Sequence, residues 1–201
     1  MKIVVATRNR GKLVEIVKLL GGLPGGPAFE LLTIDEVAPG AALREDEDTF
    51  EGNALAKARQ AADATGLPAI ADDSGLEVDV LGGAPGVWSA RYAGEPSDDA
   101  NNNAKLLQAL ASVPAAQRSG RYRCVAAFVD RARGIEIAET GACEGMILDA
   151  ARGDGGFGYD PLFLVPNLGK TMAELSLQTK NEISHRAAAF RALAARLGAG
   201  R

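Results

Sequence analysis

Pro68-Ala69-Ile70-Ala71-Asp72-Asp73-Ser74-Gly75-Leu76 is the stretch on which the fold turns. The apolar run Ala69 to Ala71 predicts a short buried strand, bounded on one side by Pro68. It runs directly into two carboxylates, a hydroxyl and a glycine. Adjacent carboxylates at the end of a buried strand each lose water and repel one another, so positive charge is expected beside them. No basic residue stands among their nearest neighbours in sequence. A divalent cation fits that gap: Mg²⁺ is hard, prefers oxygen, and is held by one or two carboxylates together with substrate phosphates. A second reading stays open, a turn in which Asp-Ser-Gly caps the strand end through local hydrogen bonds.

Upstream, Ile3 to Ala6 is a continuous apolar run and predicts a strand buried on both faces. Thr7-Arg8-Asn9-Arg10-Gly11-Lys12 follows, and Leu13, Ile16, Val17 and Leu20 then recur at helical spacing, with Gly21-Gly22 as the stop. A strand, a polar loop ending in Gly-Lys and a helix make a candidate phosphate cradle, with loop amides and a helix N-terminus aimed at an anion. The glycine and Ser/Thr positions of a Walker loop do not match, and an ordinary strand-helix connection is the alternative. Gly21 to Gly26 reads as a flexible loop and Phe29 to Ile34 as a short strand. The acidic cluster Arg44-Glu45-Asp46-Glu47-Asp48 precedes a second helix, capped by Thr49 and running through Ala54, Leu55, Ala58 and Ala62 to Gly66. Acidic residues there complement the helix dipole; they could equally lend a second carboxylate to a metal at Asp72-Asp73.

Downstream, Leu76, Val78 and Val80 alternate with Glu77 and Asp79 as in a half-buried strand. Gly82-Gly83-Ala84-Pro85-Gly86 is a turn, and Asp98 or Asp99 caps a helix carrying Ala104, Leu107 and Leu110 that ends near Pro114. Tyr122 to Val129 and Ile135 to Thr140 predict two strands joined as a hairpin. Gly153, Gly155 and Gly158 formally spell GxGxxG, but a dinucleotide fingerprint must open a helix, and here Pro161 and the strand-like Leu162 to Val165 follow. Glycines around Phe157 and Tyr159 instead suggest backbone bent closely about a flat ligand, with an aromatic ring to stack on it; a bare glycine-rich loop is the alternative. Ser184 caps a terminal helix with Phe190, Leu193, Ala194 and Leu197 on its apolar face. Lys180, His185 (the only histidine) and Arg186 stand at its start as candidate donors to keto oxygens or phosphate.

The bulk composition narrows the partners. At 201 residues and 47% hydrophobic, the chain can bury a substantial core as one large domain or two joined lobes. Its net charge is -4 without any basic block, which argues against polymeric nucleic acid. The first residues are too short for a signal peptide, and no apolar run approaches ~18 residues, so no membrane span is expected. Cys124 and Cys143 are isolated, without metal-ligand spacing, as expected of buried thiols in a reducing cytoplasm.

In order and spacing, these segments resemble the inosine triphosphate pyrophosphatase family over almost the whole chain. The resemblance is carried by Ala6 to Lys12, Thr49-Phe50, Asn53-Ala54, Lys57-Ala58, Ala71-Asp72-Asp73-Ser74-Gly75-Leu76, Gly82 to Gly86, Ser89-Ala90-Arg91-Tyr92, Gly155 to Pro161 and Ser184-His185-Arg186. It implies an α/β fold, with residues 1–201 forming a single elongated domain of two lobes around a long mixed β-sheet and the nucleotide in the cleft between them. It further implies a cytoplasmic homodimer that hydrolyses dITP, ITP and XTP or dXTP to the monophosphate and pyrophosphate with Mg²⁺. The triphosphate would lie on Thr7, Arg8, Asn9, Arg10, Gly11 and Lys12, with Lys57 adding charge. Glu45 and Asp73 would hold the metal, with Asp73 also the general base, and Ser74 would touch the substrate. Phe157, Gly158, Tyr159 and Asp160 would line the base pocket, while Lys180, His185 and Arg186 would read the purine edge. Donors there favour a 6-keto group over the 6-amino group of adenine.

Two departures stand out. Family members commonly carry Glu three residues after the helix-start threonine, where this chain has Gly52. If that Glu only caps, its loss costs about 1 kcal/mol; if it assists the metal, Glu51 or Glu47 must substitute. Arg8 and Arg10 replace the small residues often found in the loop and add charge where phosphates would lie. A septum-inhibitor-type pyrophosphatase for modified pyrimidine nucleotides and a non-hydrolysing nucleotide sensor are the rival readings. The Phe157 to Asp160 and Ser184 to Arg186 segments argue against the first. The paired carboxylates argue against the second, since triphosphate binding gains nothing from negative charge without a metal.

Overall fold

The computed structural model describes residues 1–21 and 30–199. The expected stop at Gly22, the loop to Gly26 and Phe29 at the start of the second strand lie outside these. Seven strands form one mixed sheet in the order β2-β1-β3-β4-β5-β6-β7. The chain divides into two compact units: Met1–Asp73 with Cys124–Gly141 and His185–Arg201, and Ser74–Arg123 with Ala142–Ser184.

In the first unit, β1 (Lys2–Val5) lies parallel to β2 (Glu30–Thr33) and to the start of β3 (Ala69–Val78). The helix α1 (Arg10–Gly21) connects β1 towards β2, the βαβ arrangement that a parallel pair requires. Its buried positions are Glu15, Ile16, Leu19 and Leu20, whereas Val17, expected on the apolar face, is exposed. A single turn, α2 (Ile34–Val37), begins at the residue expected to end the second strand, because Thr33 and Glu36 form a capping box. The helix α3 (Phe50–Thr65) has the expected Thr49 cap and a left-handed Gly66 at its end. The core joins Ile3, Val5, Ile16, Leu20 and Ile70 to Cys124, Phe128, Phe190 and Leu193, the last two from α6 (His185–Ala199).

The strand β3 differs from expectation in a way that matters. It does not end at Ala71 or turn at Asp-Ser-Gly; it continues through Asp72, Asp73, Ser74 and Gly75 to Val78. The turn reading of this stretch is therefore excluded. The strand stops short of Val80, which sits exposed in a 3-10 turn.

In the second unit, α4 (Asp99–Ala109) is capped by Asp98. The strands β4 (Ser119–Asp130) and β5 (Ile135–Ile147), each of which has residues in both units, are sheet neighbours joined by residues 131–134 of the first unit, too short a link for anything but an antiparallel hairpin. β6 (Phe163–Val165) and β7 (Lys170–Thr171) extend the sheet by antiparallel pairing. A short helix that the spacing did not suggest, α5 (Leu177–Ile183), ends at Ser184, so that residue stands between two helices. Leu76, Val78, Leu106, Tyr122, Tyr159, Leu162, Phe163 and Met172 make this unit's core. Both cysteines are free; Cys124 is buried, but Cys143 is only half-buried.

Candidate active site

The centre of the first unit is a buried cluster of charge around the middle of β3. Asp72 is fully buried, and its Oδ2 receives Lys12 Nζ at 3.2 Å and Arg186 Nε at 3.2 Å. Arg186 in turn places Nη1 2.5 Å from Glu15 Oε2. Asp73 lies 3.5 Å from Lys57 Nζ and accepts a hydrogen bond from Asn53 Nδ2 at 3.1 Å. The same Lys57 ammonium pairs with Glu45. Positive charge thus does surround the carboxylates, as desolvation demands, but it comes from α1, α3 and α6 rather than from adjacent sequence. The inference of a metal from a lack of nearby cations does not hold.

The two aspartates are held in opposite ways. Burial would raise the Asp72 pKa, but the charges of Lys12, Arg186 and Lys57 override it and hold the carboxyl well below the usual carboxylate range. For Asp73, burial wins against Lys57 and Lys12, and its pKa is raised. Glu45 is also opposed by burial, yet the Lys57 charge and hydrogen bond bring its pKa down. Lys57 itself stays protonated, because Asp73, Asp72 and Glu45 outweigh its own desolvation.

Three observations bear on a divalent cation. Glu45 and Asp73 are gathered around one ammonium, which marks a place where positive charge is stable between them. Asp72 Oδ1 is buried and accepts no hydrogen bond among the described residues. No group of three or more His, Cys, Asp or Glu side chains suited to a metal occurs among the described residues, so there is no all-protein cage. Mg²⁺ does not require one, since it keeps water and takes ligand oxygens from phosphates. Glu45 and Asp73 fit such an ion.

The expected phosphate loop is only partly a loop. Thr7, Arg8 and Asn9 link β1 to α1, while Arg10, Gly11 and Lys12 form the first turn of the helix. Asn9 caps that helix, its Oδ1 accepting the Lys12 N–H at 3.0 Å, and Thr7 Oγ1 accepts the Asn9 N–H at 3.2 Å. Positive helix-end charge and Lys12 are therefore fixed on the same side of α1. Arg8 turns elsewhere: its guanidinium pairs with Asp35 at 2.9 Å and donates to the carbonyls of Pro39 and Ala41. Arg10 is exposed at the helix start.

Gly52 has a local explanation. A Cβ there would stand 2.8 Å from Glu47 Cβ and 3.0 Å from Thr49 Oγ1. The Glu47 side chain occupies the space that a residue at 52 would need, and its N–H is fixed by Asn53 Oδ1. The Thr49 cap survives, accepting the Gly52 N–H.

In the second unit, Asp160 organises the glycine-rich segment. Its Oδ2 receives Lys180 Nζ at 2.7 Å and the Phe157 N–H at 3.1 Å, and its Oδ1 receives the Tyr122 hydroxyl at 3.2 Å. Gly156 is required for this: its φ is +76°, and a Cβ would fall 2.1 Å from Asp160 Oδ2. Phe157 is half-buried, with Lys180 Nζ 5.3 Å from its ring centroid. Tyr159 is not an open stacking ring; it is buried in the core and its hydroxyl donates to Ser89 O at 2.8 Å. Phe157 is the aromatic face that fits a flat ligand. Ser74 is half-buried at the start of this unit.

His185 and Arg186 belong to the first unit and both are buried. The Arg186 guanidinium is committed to Glu15 and Asp72, so it serves the carboxylate cluster instead of an exposed base edge. Glu15 and Asn53 were missed as site residues. Glu15 did carry a signal, an acidic side chain beside Ile16 on the apolar face of α1; Asn53 stood among the segments that carry the resemblance, but without a role.

A sequence model described as the Ham1 family matches residues 3–196. The chain is 52% identical over 197 residues to the dITP/XTP pyrophosphatase of Geobacter sulfurreducens, which covers 98% of this chain and 96% of that protein. It is also 52% identical over 191 residues to the dITP/XTP pyrophosphatase of Desulforamulus reducens, covering 95% of this chain and 92% of that one. Among solved structures, the Ham1 protein of Staphylococcus aureus matches with a TM-score of 0.88 at 39% identity, with 100% of both chains covered.

Proposed function

The chain belongs to the Ham1 family, and on that premise we propose that it is a Mg²⁺-dependent nucleoside triphosphate pyrophosphatase that clears dITP, ITP and XTP or dXTP from the nucleotide pool. The reading rests on one observation above the others: adjacent buried carboxylates on β3 held by different partners, Asp72 by Lys12 and Arg186 and Asp73 by Lys57 and Asn53, so that their proton affinities are pushed apart. Such divergence marks an acid–base assignment. Asp72, clamped by Lys12 and Arg186, is too weak a base and serves as a fixed counter-charge. Asp73, buried and less strongly compensated, takes the proton from a water that attacks the α-phosphorus.

As that P–O bond forms, the bond from the α-phosphorus to the bridging oxygen breaks, leaving nucleoside monophosphate and pyrophosphate. Lys12, Lys57 and the first turn of α1 hold the phosphate chain, with Thr7 and Asn9 shaping the approach. Glu45 and Asp73 would hold Mg²⁺, which when bound neutralises charge on the phosphates. Lys57 then exchanges carboxylate contacts for phosphate ones. In the second unit, Phe157 offers a face to the purine, and the Lys180–Asp160 pair offers a donor and an acceptor to its edge. Ser74 and His185 complete the set of substrate contacts, while Arg186 acts through Asp72. Residues 1–201 work as one catalytic domain, in the cytoplasm and as a homodimer; light scattering of the purified protein tests the last point.

The deciding experiment is pyrophosphate release from dITP, XTP, dGTP and dATP, with Mg²⁺ or with EDTA, for wild type and Asp73→Asn. Metal-dependent cleavage confined to dITP and XTP and lost in the variant is expected. Equal cleavage of all four nucleotides would remove the selectivity, and tight dITP binding without release would mean a sensor.

A further inference from the structure

We propose that Asp99 and Asn103, on the first turns of α4, are positioning residues that set base selectivity by fixing the backbone beside Phe157. This rests on the reading above, in which Phe157 carries the purine. The Gly158 peptide is gripped from both sides. Its N–H donates to Asp99 Oδ2 at 2.7 Å, and its carbonyl accepts from Asn103 Nδ2 at 2.9 Å. The two side chains are four apart and so share one face of the helix, and Asn103 Nδ2 also donates to the Asp99 carbonyl at 2.9 Å.

The helix that carries them is itself anchored. Asp98 caps it through the Asn101 N–H. Asn102, buried, accepts from Ala93 N–H and donates to Ala90 O, and Leu106 lies in the core. On the loop, Tyr159 is tied to Ser89, and Phe157 N–H to Asp160. The ring of Phe157 is only half-buried, so core packing alone does not define its place. Besides the Lys180 ammonium over the ring, the peptides on either side help fix it, one held by Asp160 and the other by α4.

A merely structural role and a selectivity role separate in experiment. Asp99 is exposed and Asn103 half-buried, so truncating either leaves the apolar core intact. The selectivity role shows as a loss of discrimination between keto and amino purines. Asp99→Ala, Asn103→Ala and Asp99→Asn are compared with wild type in kcat and KM for dITP and dATP, with Tm recorded alongside. Asp99→Asn keeps an oxygen able to accept the Gly158 N–H. Both alanine variants should lose about tenfold in the dITP-over-dATP ratio of kcat/KM, mainly through a raised KM for dITP, with Tm little changed. Asp99→Asn should recover most of that loss. Wild-type discrimination in Asp99→Ala would overturn the inference while leaving the proposed activity standing, as would equal loss in Asp99→Ala and Asp99→Asn. A wild type that cleaves dITP and dATP alike would overturn the base-reading role of Phe157 itself, and this inference with it.

Discussion

Asp72 and Asp73 are one peptide bond apart, yet their replacement by asparagine should have opposite consequences. Asp72→Asn leaves Lys12 and Arg186 facing a neutral amide inside the first unit. Removing one partner of a buried ion pair typically costs about 3–5 kcal/mol, so the urea midpoint should fall sharply. Asp73 is different. Its pKa is raised in the folded protein, which means that folding disfavours its charged form at neutral pH. Neutralising it relieves that penalty, at the expense of one contact to Lys57. Asp73→Asn should stay within about 1 kcal/mol of wild type while losing roughly 10²–10⁴ in turnover as the base disappears. If both variants lose the same stability, the contrast drawn between the two carboxylates is wrong.

At the scale of elements, the first turn of α3 makes a similar kind of prediction. An exposed helical glycine replaced by alanine normally gains about 0.5–1 kcal/mol. At Gly52 the new Cβ would meet Glu47 Cβ at 2.8 Å, backbone-near and unable to swing aside. Gly52→Ala should therefore show no rise in the urea midpoint; a gain of about 1 kcal/mol would mean that Glu47 is not held there. The helix itself was legible from Thr49 to Gly66, because caps act locally. β1, α4 and the β4–β5 hairpin were legible for the same reason: periodicity and turns need only near neighbours. The extension of β3 through Asp72 and Asp73 was not. No local rule allows two carboxylates inside a buried strand. What allows them is Arg186, 114 residues away in sequence, and lysines on two other helices. The short helix α5 was hidden for a different reason, being seven residues of mixed character without an apolar stripe. Of the candidate site, the segments were visible as motifs, but the pairing of Arg186 with Glu15 and the burial of Tyr159 are tertiary facts.

For the molecule as a whole, the problem is charge. The chain carries a net -4, and a nucleoside triphosphate is itself a polyanion. In the first unit, Glu15, Glu45, Asp72 and Asp73 pair with Lys12, Lys57 and Arg186. Every positive charge in that cluster is already engaged by a carboxylate, so phosphates brought there alone would add repulsion. Binding of the triphosphate should therefore depend on the metal, and not only its hydrolysis. In the wild-type protein, a dITP analogue with a non-hydrolysable bridge between the α- and β-phosphates should raise Tm together with Mg²⁺, since a ligand present at 100 times its Kd stabilises by about 2.7 kcal/mol. In EDTA, the analogue should raise it little or not at all, and Mg²⁺ alone should act only weakly through Glu45 and Asp73. An equal shift with and without Mg²⁺ would mean that the lysines release their carboxylates to the phosphates unaided, and that the metal serves the chemical step alone.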